Sequence, residues 1–366
     1  MVVNDKEILV IQIGMKFKNL KRAIRLSPLR NSKLYHTLRY CLRKKNAITI
    51  AKQYTRSESI DKKTLLAMKY AMVHYHWDFS EFFMYNYESL SPSERESFIP
   101  EYEKNIFCDR VNDYNKAKIF DSKWLTYTHF KKYYGRDVIL LSDSFDLYKE
   151  TFKSFIEKHR SFIVKPDSDA SGRGIKILHV TDCEDAVKKI LDNYSHQFDN
   201  LVIEELIVQA DEMARFHPDS VNTIRMRSFR FDDRVEILPC NMRIGQGGAV
   251  VDNTGQGGIS AALDDNGQVT VACDEAGKLY YTHPNTGIPI VGYYVHKWDD
   301  AVRMIKELAL IVPEVRYVGW DIALTNNGWV LIEGNDKGMF VGIQKTTQKG
   351  FRPVINRILN ELDLSL

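Results

Sequence analysis

The sequence is short of cysteine, short of acid near its start, and short of long apolar runs. Five cysteines stand in 366 residues: Cys41, Cys108, Cys183, Cys240 and Cys273. They are odd in number, scattered, and form no C-x-x-C pair. That excludes a disulfide framework or a cysteine zinc site and fits reduced thiols. No apolar run approaches the roughly 20 residues that a membrane-spanning helix needs. The stretch Ile8 to Ile13 is too short for the apolar core of a secretion signal. A cytoplasmic protein is therefore expected. Also missing are internal repeats, low-complexity linkers and the G-K-[ST] ending of a P-loop.

Acids are scarce at one end only. The first sixty residues hold fourteen lysines and arginines, from Lys6 to Arg56, against Asp5, Glu7 and Glu58. Such a basic arm favours anionic polymers or membrane surfaces, and the plain alternative is a solvated helical face. Over the whole chain the formal charge is +3, with 44% hydrophobic and 27% charged residues. Those are the proportions of a globular domain, and the length has room for two or three.

Up to about residue 115 the chain lacks β-alternation and reads as helices. Lys62 to Val73 has apolar residues at helical spacing, and Ser91-Pro92 marks a helix start. The many aromatics between Tyr75 and Tyr87 read as core, since no single-strand-binding motif accompanies them; no nucleic-acid partner is expected. Lys116 to Tyr134 reads as one further helix stopped by Gly135, with Lys118 and Lys123 on it.

The middle of the chain alternates strands with glycine loops. Ser161 to Pro166 is a strand that ends in Lys165, followed by the Gly/Ser stretch Asp167 to Gly174 and a returning strand Ile175 to Leu178. A loop of this kind is a flap whose backbone N–H groups can wrap phosphate. Asp185 to Asn193 reads as a helix, and Leu201 to Ile207 as a buried strand carrying Glu204 and Glu205. Val221 to Phe231 and Val235 to Ile244 are strands, the first with Arg225 and Arg227 on one face, the second with Arg243 near its end. The loops Gly245 to Gly248 and Asp252 to Gly258 follow. Arginines converging on glycine loops suit anion binding, because the guanidinium fork matches phosphate and carboxylate. Trp298 to Leu310 and Phe351 to Leu362 read as amphipathic helices.

The stretch from Gly319 to Asn335 is the most telling. Two apolar runs flank Asn326-Asn327-Gly328, the signature of a β-hairpin. With a three-residue loop and Gly328 left-handed, Thr325 pairs with Trp329 and Asp321 falls opposite Glu333, so that Asp321, Glu333 and Asn335 share a face. A two-residue loop would slip the register and turn Asp321 away. Two carboxylates about 5 Å apart at an effective dielectric of about 20 repel by roughly 3 kcal/mol. A hard divalent cation relieves that most simply, and an oxygen-only Asp/Glu/Asn set suits Mg²⁺.

Taken in order, these pieces resemble the ATP-grasp superfamily. The order is a helix lysine, Lys165, the flap, Glu204-Glu205-Leu206-Ile207, the arginine strands, then Asp321, Glu333 and Asn335. More narrowly, the chain resembles the sugar-transfer-associated ATP-grasp group found with bacterial surface-polysaccharide genes. The stretches His217 to Arg225, Arg243-Ile244-Gly245, Val251-Asp252-Asn253 with Gly257-Gly258, His283-Pro284 and Gly319-Trp320-Asp321 carry that likeness, which spans about residues 110 to 345.

The resemblance implies an α+β fold of two subdomains clamping ATP, with a helical N-terminal region. The chain divides on this reading into residues 1–115, a small subdomain 116–210 with the flap, and a large subdomain 211–366 with the phosphate and acceptor site. The cofactors implied are ATP and Mg²⁺. Lys165, the flap residues Ser171, Gly172 and Gly174, and either Lys118 or Lys123 would meet the nucleotide, Lys123 being the one assigned. Glu204, Glu205 and Ile207 would read adenine, and Asp211 or Glu212 would meet the ribose. Arg225, Arg243 and Asn253 would be catalytic, and Asp321, Glu333 and Asn335 would hold the metal. The activity implied is carboxylate–amine ligation through an acyl phosphate, joining an amino acid to a uronic acid or a similar glycan acid. A phosphotransferase and a non-catalytic nucleotide-binding module are the competing readings.

Overall fold

The structure is a computed structural model that describes residues 27, 32–142, 146, 148–168, 174–194, 200–248 and 257–366. The basic residues from Lys6 to Lys21 and Arg22, Arg25 and Arg30 lie outside these, as do Ser171, Gly172 and Asn253. The chain divides into two compact units, one of residues up to 112 with 275–278 and 339–366, the other of 113–274 and 279–338.

The first unit is helical. Its long helices are Lys33–Thr55, Lys62–His74 and Glu101–Val111, with shorter turns at Phe79–Met84 and Pro92–Ser97. Ser91 starts the last of these through a capping box: its Oγ accepts from the Glu94 amide while the Glu94 carboxylate accepts from the Ser91 amide. The clustered aromatics are core, with Trp77, Phe79, Phe82, Tyr85 and Phe98 all buried. The helices Val341–Thr347 and Arg352–Glu361 also belong here. Gln344 is fully buried, and its amide behaves like a peptide group: Oε1 accepts from the Ile99 and Phe351 amides at 2.8 Å each, and Nε2 donates to the Ile99 carbonyl and the Tyr85 hydroxyl. All four capacities of that side chain are met, as burial requires.

The second unit carries two antiparallel sheets. The smaller contains β1 (Val138–Leu141), β2 (Ser161–Pro166), β3 (Lys176–His179) and β4 (Leu201–Glu205), in the order β1-β4-β2-β3. The helices Glu150–Lys158 and Cys183–Tyr194 supply Phe152, Phe155, Ile156, Ala186 and Ile190 to its core. The larger sheet contains β5 (Thr223–Arg230), β6 (Val235–Ile244), β7 (Ile259–Leu263), β8 (Val269–Cys273), β9 (Tyr317–Thr325) and β10 (Gly328–Asn335). Its order is β10-β9-β5-β6-β7-β8, which puts β9 and β5 in the interior. Helix Trp298–Ile311 packs Ala301, Met304, Ile305 and Leu308 into the same core as Ile224, Met226 and Ile322.

Two local expectations change. The stretch Lys116 to Tyr134 is not one helix: a 3₁₀ segment ends at Asp121, Ser122 is extended, and an α-helix runs Lys123–Phe130. Ser122 breaks the run because its hydroxyl caps the new helix, accepting from the Leu125 amide at 3.0 Å. In the β9–β10 hairpin Gly328 pairs with Thr325, so the loop is the two residues Asn326-Asn327, and Gly328 has φ +117°. That turn does slip the register. A β-bulge between Leu331 and Glu333 then adds one residue back, and Glu333 lies opposite Asp321 after all.

Candidate active site

One transverse row of the larger sheet gathers the chemistry. Asp321 on β9 is flanked by Arg225 on β5 and Glu333 on β10, each directly opposite in register. Arg243 on β6 pairs with Thr223, two residues from Arg225 on β5, which brings the second guanidinium to the same face. The Asp321 carboxylate is buried; it accepts from Arg225 Nε, from Arg225 Nη2 at 2.7 Å and from Arg243 Nη2 at 2.8 Å. Burial alone would raise its pKa, but the two guanidiniums outweigh burial and hold it well below the usual carboxylate range. Glu333 behaves oppositely. Desolvation, and then the adjacent Asp321 charge, push its pKa up. The two acids face each other, and a cation between them would relieve their repulsion.

That is the test of the metal. Asp321, Glu333 and Asn335 offer oxygens only, the donor chemistry of Mg²⁺. Burial and the Asp321 charge raise the Glu333 pKa against the pull of Arg225 and Arg243. Asp321 Oδ2 accepts from both guanidiniums and Oδ1 only from Arg225 Nε, so Oδ1 is the oxygen with a lone pair beyond its guanidinium bond. Asn335 closes β10 and is partly exposed, its Oδ1 accepting from the Lys337 amide at 3.0 Å. The set fits a hard divalent cation brought in with an anionic ligand.

A second cluster lies on the smaller sheet. Lys165 Nζ donates to Glu204 Oε1 at 2.8 Å, and Arg136 holds Glu204 Oε2 through Nη2 at 2.6 Å and Nε at 2.8 Å. Burial would raise the Glu204 pKa, but Arg136 and Lys165 outweigh it and bring it down to about 2. Arg136 also donates to the Leu331 carbonyl at 2.7 Å, and thus ties Glu204 to β10 two residues before Glu333. Sequence reading missed Arg136. Its partner is 68 residues away, and nothing beside Tyr134-Gly135 marks it.

Lys123 stands between the clusters. Its Nζ donates to the Pro166 carbonyl at 2.7 Å, and burial lowers its pKa, with Glu333 and Lys165 among the charges it feels. Asp167 fixes it there. The Asp167 carbonyl accepts from the Lys123 amide at 3.1 Å, and its carboxylate accepts from the Trp124 amide and the Ser122 hydroxyl. Lys123 and Lys165 are therefore brought together, whereas Lys118 is exposed and donates to Asn115.

The remaining candidates scatter around these clusters. The Glu205 carboxylate accepts from the Asp137 amide at 3.0 Å, so its side chain is turned to β1 rather than to Lys165. Ile207 lies in the stretch 206–208, whose backbone makes no hydrogen bond among the described residues. Exposed peptide edges of that kind can pair with a planar heterocycle. Asp211 is exposed at the start of a single helical turn; Glu212, beside it, lines a cavity of about 60 Å³ with His296 and Lys297. Gly174 has φ +70°, and its carbonyl accepts from the Tyr194 hydroxyl at 2.8 Å.

The motif histidines have a role of their own. His283 Nε2 donates to the Gly245 carbonyl at 2.8 Å and His217 Nε2 to the Gly247 carbonyl at 3.0 Å. Carbonyls only accept, so each Nε2 carries its proton, and His217 Nδ1 meets the Ser220 hydroxyl at 2.9 Å. Asn222 adds its Oδ1, accepting from the Gly245 amide at 3.1 Å. Any side chain at position 245 would meet Ser220 Oγ at 2.2 Å, so glycine is required. The stretches His217 to Asn222, Arg243 to Gly245 and His283 thus converge on one loop at the end of the Arg243 strand.

The family model for sugar-transfer associated ATP-grasp matches residues 102–360, more than half of the chain. No curated protein matches the sequence. Among solved structures the chain is similar to D-alanyl-alanine synthetase A from Vibrio cholerae, with 8% identity, 70% of each chain covered and a TM-score of 0.44. It is similar also to VanG D-Ala:D-Ser ligase from Enterococcus faecalis, with 13% identity, 70% of this chain and 67% of that one covered, and a TM-score of 0.43. A third is the ATP-grasp ligase PsnB complexed with minimal precursor, with 12% identity, 76% and 73% covered, and a TM-score of 0.40.

Proposed function

The chain belongs to the sugar-transfer associated ATP-grasp family, and on that basis we propose that it is an ATP-dependent, ADP-forming carboxylate–amine ligase. Its fold is the α+β ATP-grasp fold with a helical N-terminal region. The observation that carries the proposal is the row Glu333–Asp321–Arg225 with Arg243 beside it, set in the same unit as the Lys123–Lys165 pair. A carboxylate is a poor electrophile, so amide formation at neutral pH needs a leaving group, and a phosphoryl group from ATP supplies one.

In this reading Lys123 and Lys165 hold the nucleotide phosphates, and the open backbone of 206–208 receives the adenine edge. Glu333 and Asn335, with Asp321, would hold Mg²⁺, which offsets charge on the transferring phosphoryl group. Arg225 spends Nε and Nη2 on Asp321, which presets the plane of its guanidinium and directs Nη1 to a phosphoryl oxygen. The substrate carboxylate attacks the γ-phosphorus and ADP leaves. The amine then attacks the acyl carbon, Arg225 and Arg243 stabilise the tetrahedral oxyanion, and phosphate departs. Asp321 keeps both arginines charged and aimed throughout. The family's sugar-transfer association supports a place in surface-polysaccharide chemistry, with an amino acid and a uronic acid or similar glycan acid as the pair to be joined.

The test is an ADP-release screen with Mg²⁺ over amino acids, uronic acids and nucleotide sugars. For the right pair, ADP and phosphate form in equal amounts with the amide, and hydroxylamine traps a hydroxamate when the amine is withheld. Oxygen-18 in the carboxylate appears in the released phosphate. Accumulation of AMP without label in phosphate overturns acyl-phosphate chemistry; a stable phosphorylated acceptor makes the protein a phosphotransferase. Absence of turnover across the screen, with ATP still bound, marks a non-catalytic nucleotide-binding module.

A further inference from the structure

The helices Lys33–Thr55 and Lys62–His74 form a hairpin in the helical unit, and its inner faces bury Tyr40, Ala47, Ala51, Met68 and Ala71. The outer face of the first helix is unusual. Leu34, Leu38 and Leu42 follow one another at four-residue spacing and are 79%, 58% and 80% exposed. Cys41, seven residues from Leu34 and so on the same face, is exposed among them. On the second helix Leu66 and Tyr70, again four apart, are 56% and 48% exposed. Charge has one sign here. The two helices contain nine lysines and arginines and no aspartate or glutamate. Arg39 and Arg43 are occupied with Asp78, but Lys33, Lys44, Lys45, Lys52, Lys62 and Lys63 are exposed.

We propose that the outer face of this hairpin docks on an anionic phospholipid surface, the leucines entering the acyl boundary and the lysines meeting headgroup phosphates. Three occupants compete for such a face, and two fit poorly. A second copy would bring one all-basic face against another. An anionic glycan would satisfy the lysines but leave a row of leucines in water. A bilayer with acidic headgroups answers both, since apolar burial and attraction to anionic lipid add in an interfacial helix. This inference is independent of the ligase reading and rests on residues outside that site.

The experiment uses the full chain and vesicles of phosphatidylcholine with or without phosphatidylglycerol. Co-sedimentation should require phosphatidylglycerol and fall at least tenfold between 0.1 and 0.5 M salt. The L34S/L38S/L42S variant, which touches only exposed positions, should keep the wild-type thermal midpoint and ATP binding while losing at least tenfold in vesicle partition. With Cys183 replaced by serine, an environment-sensitive dye on Cys41 should shift to the blue on vesicles containing phosphatidylglycerol and stay unchanged on phosphatidylcholine alone. Wild-type sedimentation by the triple variant, or no sedimentation of the native chain, overturns the proposal. So does a doubled mass in solution that the triple variant abolishes, since the face then joins two copies. Tight binding of a soluble anionic polysaccharide, unaffected by the leucine changes, would make it a glycan surface instead.

Discussion

Glu204 and Asp321 are both buried carboxylates, and each is clasped by two cations: Lys165 and Arg136 on the first, Arg225 and Arg243 on the second. Their sheet neighbours differ. Glu204 lies between Val138 and Ile163 in register, so nothing acidic disturbs it. Asp321 lies between Arg225 and Glu333, and burial and the Asp321 charge push the pKa of that extra acid up. The same local device therefore has two uses. Around Glu204 the charges are complete and hold β4, Arg136 and β10 in place. Around Asp321 a second acid, Glu333, stands against the pair.

The comparison can be broken from either side, and the largest effect should come from Glu204→Gln. Removing that carboxylate leaves two buried cations without a counter-charge, which should cost about 3–5 kcal/mol of stability in urea unfolding. Its acid dependence has a definite sign. The folded carboxyl releases its proton more readily than the unfolded one, at about 2 against 4.5. Stability from this group is therefore full above the ordinary carboxylate value and is lost as the pH falls from about 4.5 towards 2. The glutamine variant should lack that segment of the acid-unfolding curve; an unchanged urea midpoint would show that the cluster holds nothing together.

Glu333→Gln should do the reverse. Glutamine matches the carboxyl in size and relieves the repulsion with Asp321, so stability should move by no more than about 1 kcal/mol. Mg²⁺-dependent ATP turnover should fall by at least about 100-fold, because a ligand able to ionise has gone. Turnover within about threefold of the native protein would sink the metal assignment. Arg136→Lys should be smaller again. It keeps the charge but loses the fork on Glu204 and the bond to the Leu331 carbonyl, at about 1.5–3 kcal/mol by thermal or urea unfolding. Gly328→Ala should be the mildest, roughly 1–2 kcal/mol, as alanine is strained at a φ of +117°. A Gly328→Ala protein as stable as the native one would mean that the turn relaxes at no cost.

The sequence made the elements legible wherever a pattern stayed inside one element. Val235–Ile244 has the expected bounds, Trp298–Ile311 ends one residue later than expected, and the Ser91-Pro92 start is where its chemistry puts it. Strands β1, β7 and β8 went unassigned. The first is four residues long, and the run Ile259-Ser260-Ala261-Ala262-Leu263 is rich in small residues that favour no strand. Partners distant in sequence were the harder part. Arg136 and Glu204 meet only once β1 and β4 pair, and Gln344 reaches Ile99 only once the last helices pack on the first ones. Facing acids at Asp321 and Glu333 were foreseen, yet through a three-residue loop that the chain does not use.

That hairpin holds one residue of slack. The short Asn326-Asn327 turn takes a position away, and the bulge at Ile332 puts one back, with only the pairs Gly328–Thr325 to Leu331–Ile322 out of step between them. Turn and bulge are therefore separate from the pairing they flank. An extra residue in the turn leaves the pairs from Gly328–Thr325 onward as they are, and deleting Ile332 alone should remove the bulge while Glu333 follows Leu331 into register with Asp321. Among descendants of this chain, the turn and the bulge should each gain or lose a residue independently, with the pairing of Asp321 with Glu333 kept while their distance in sequence drifts.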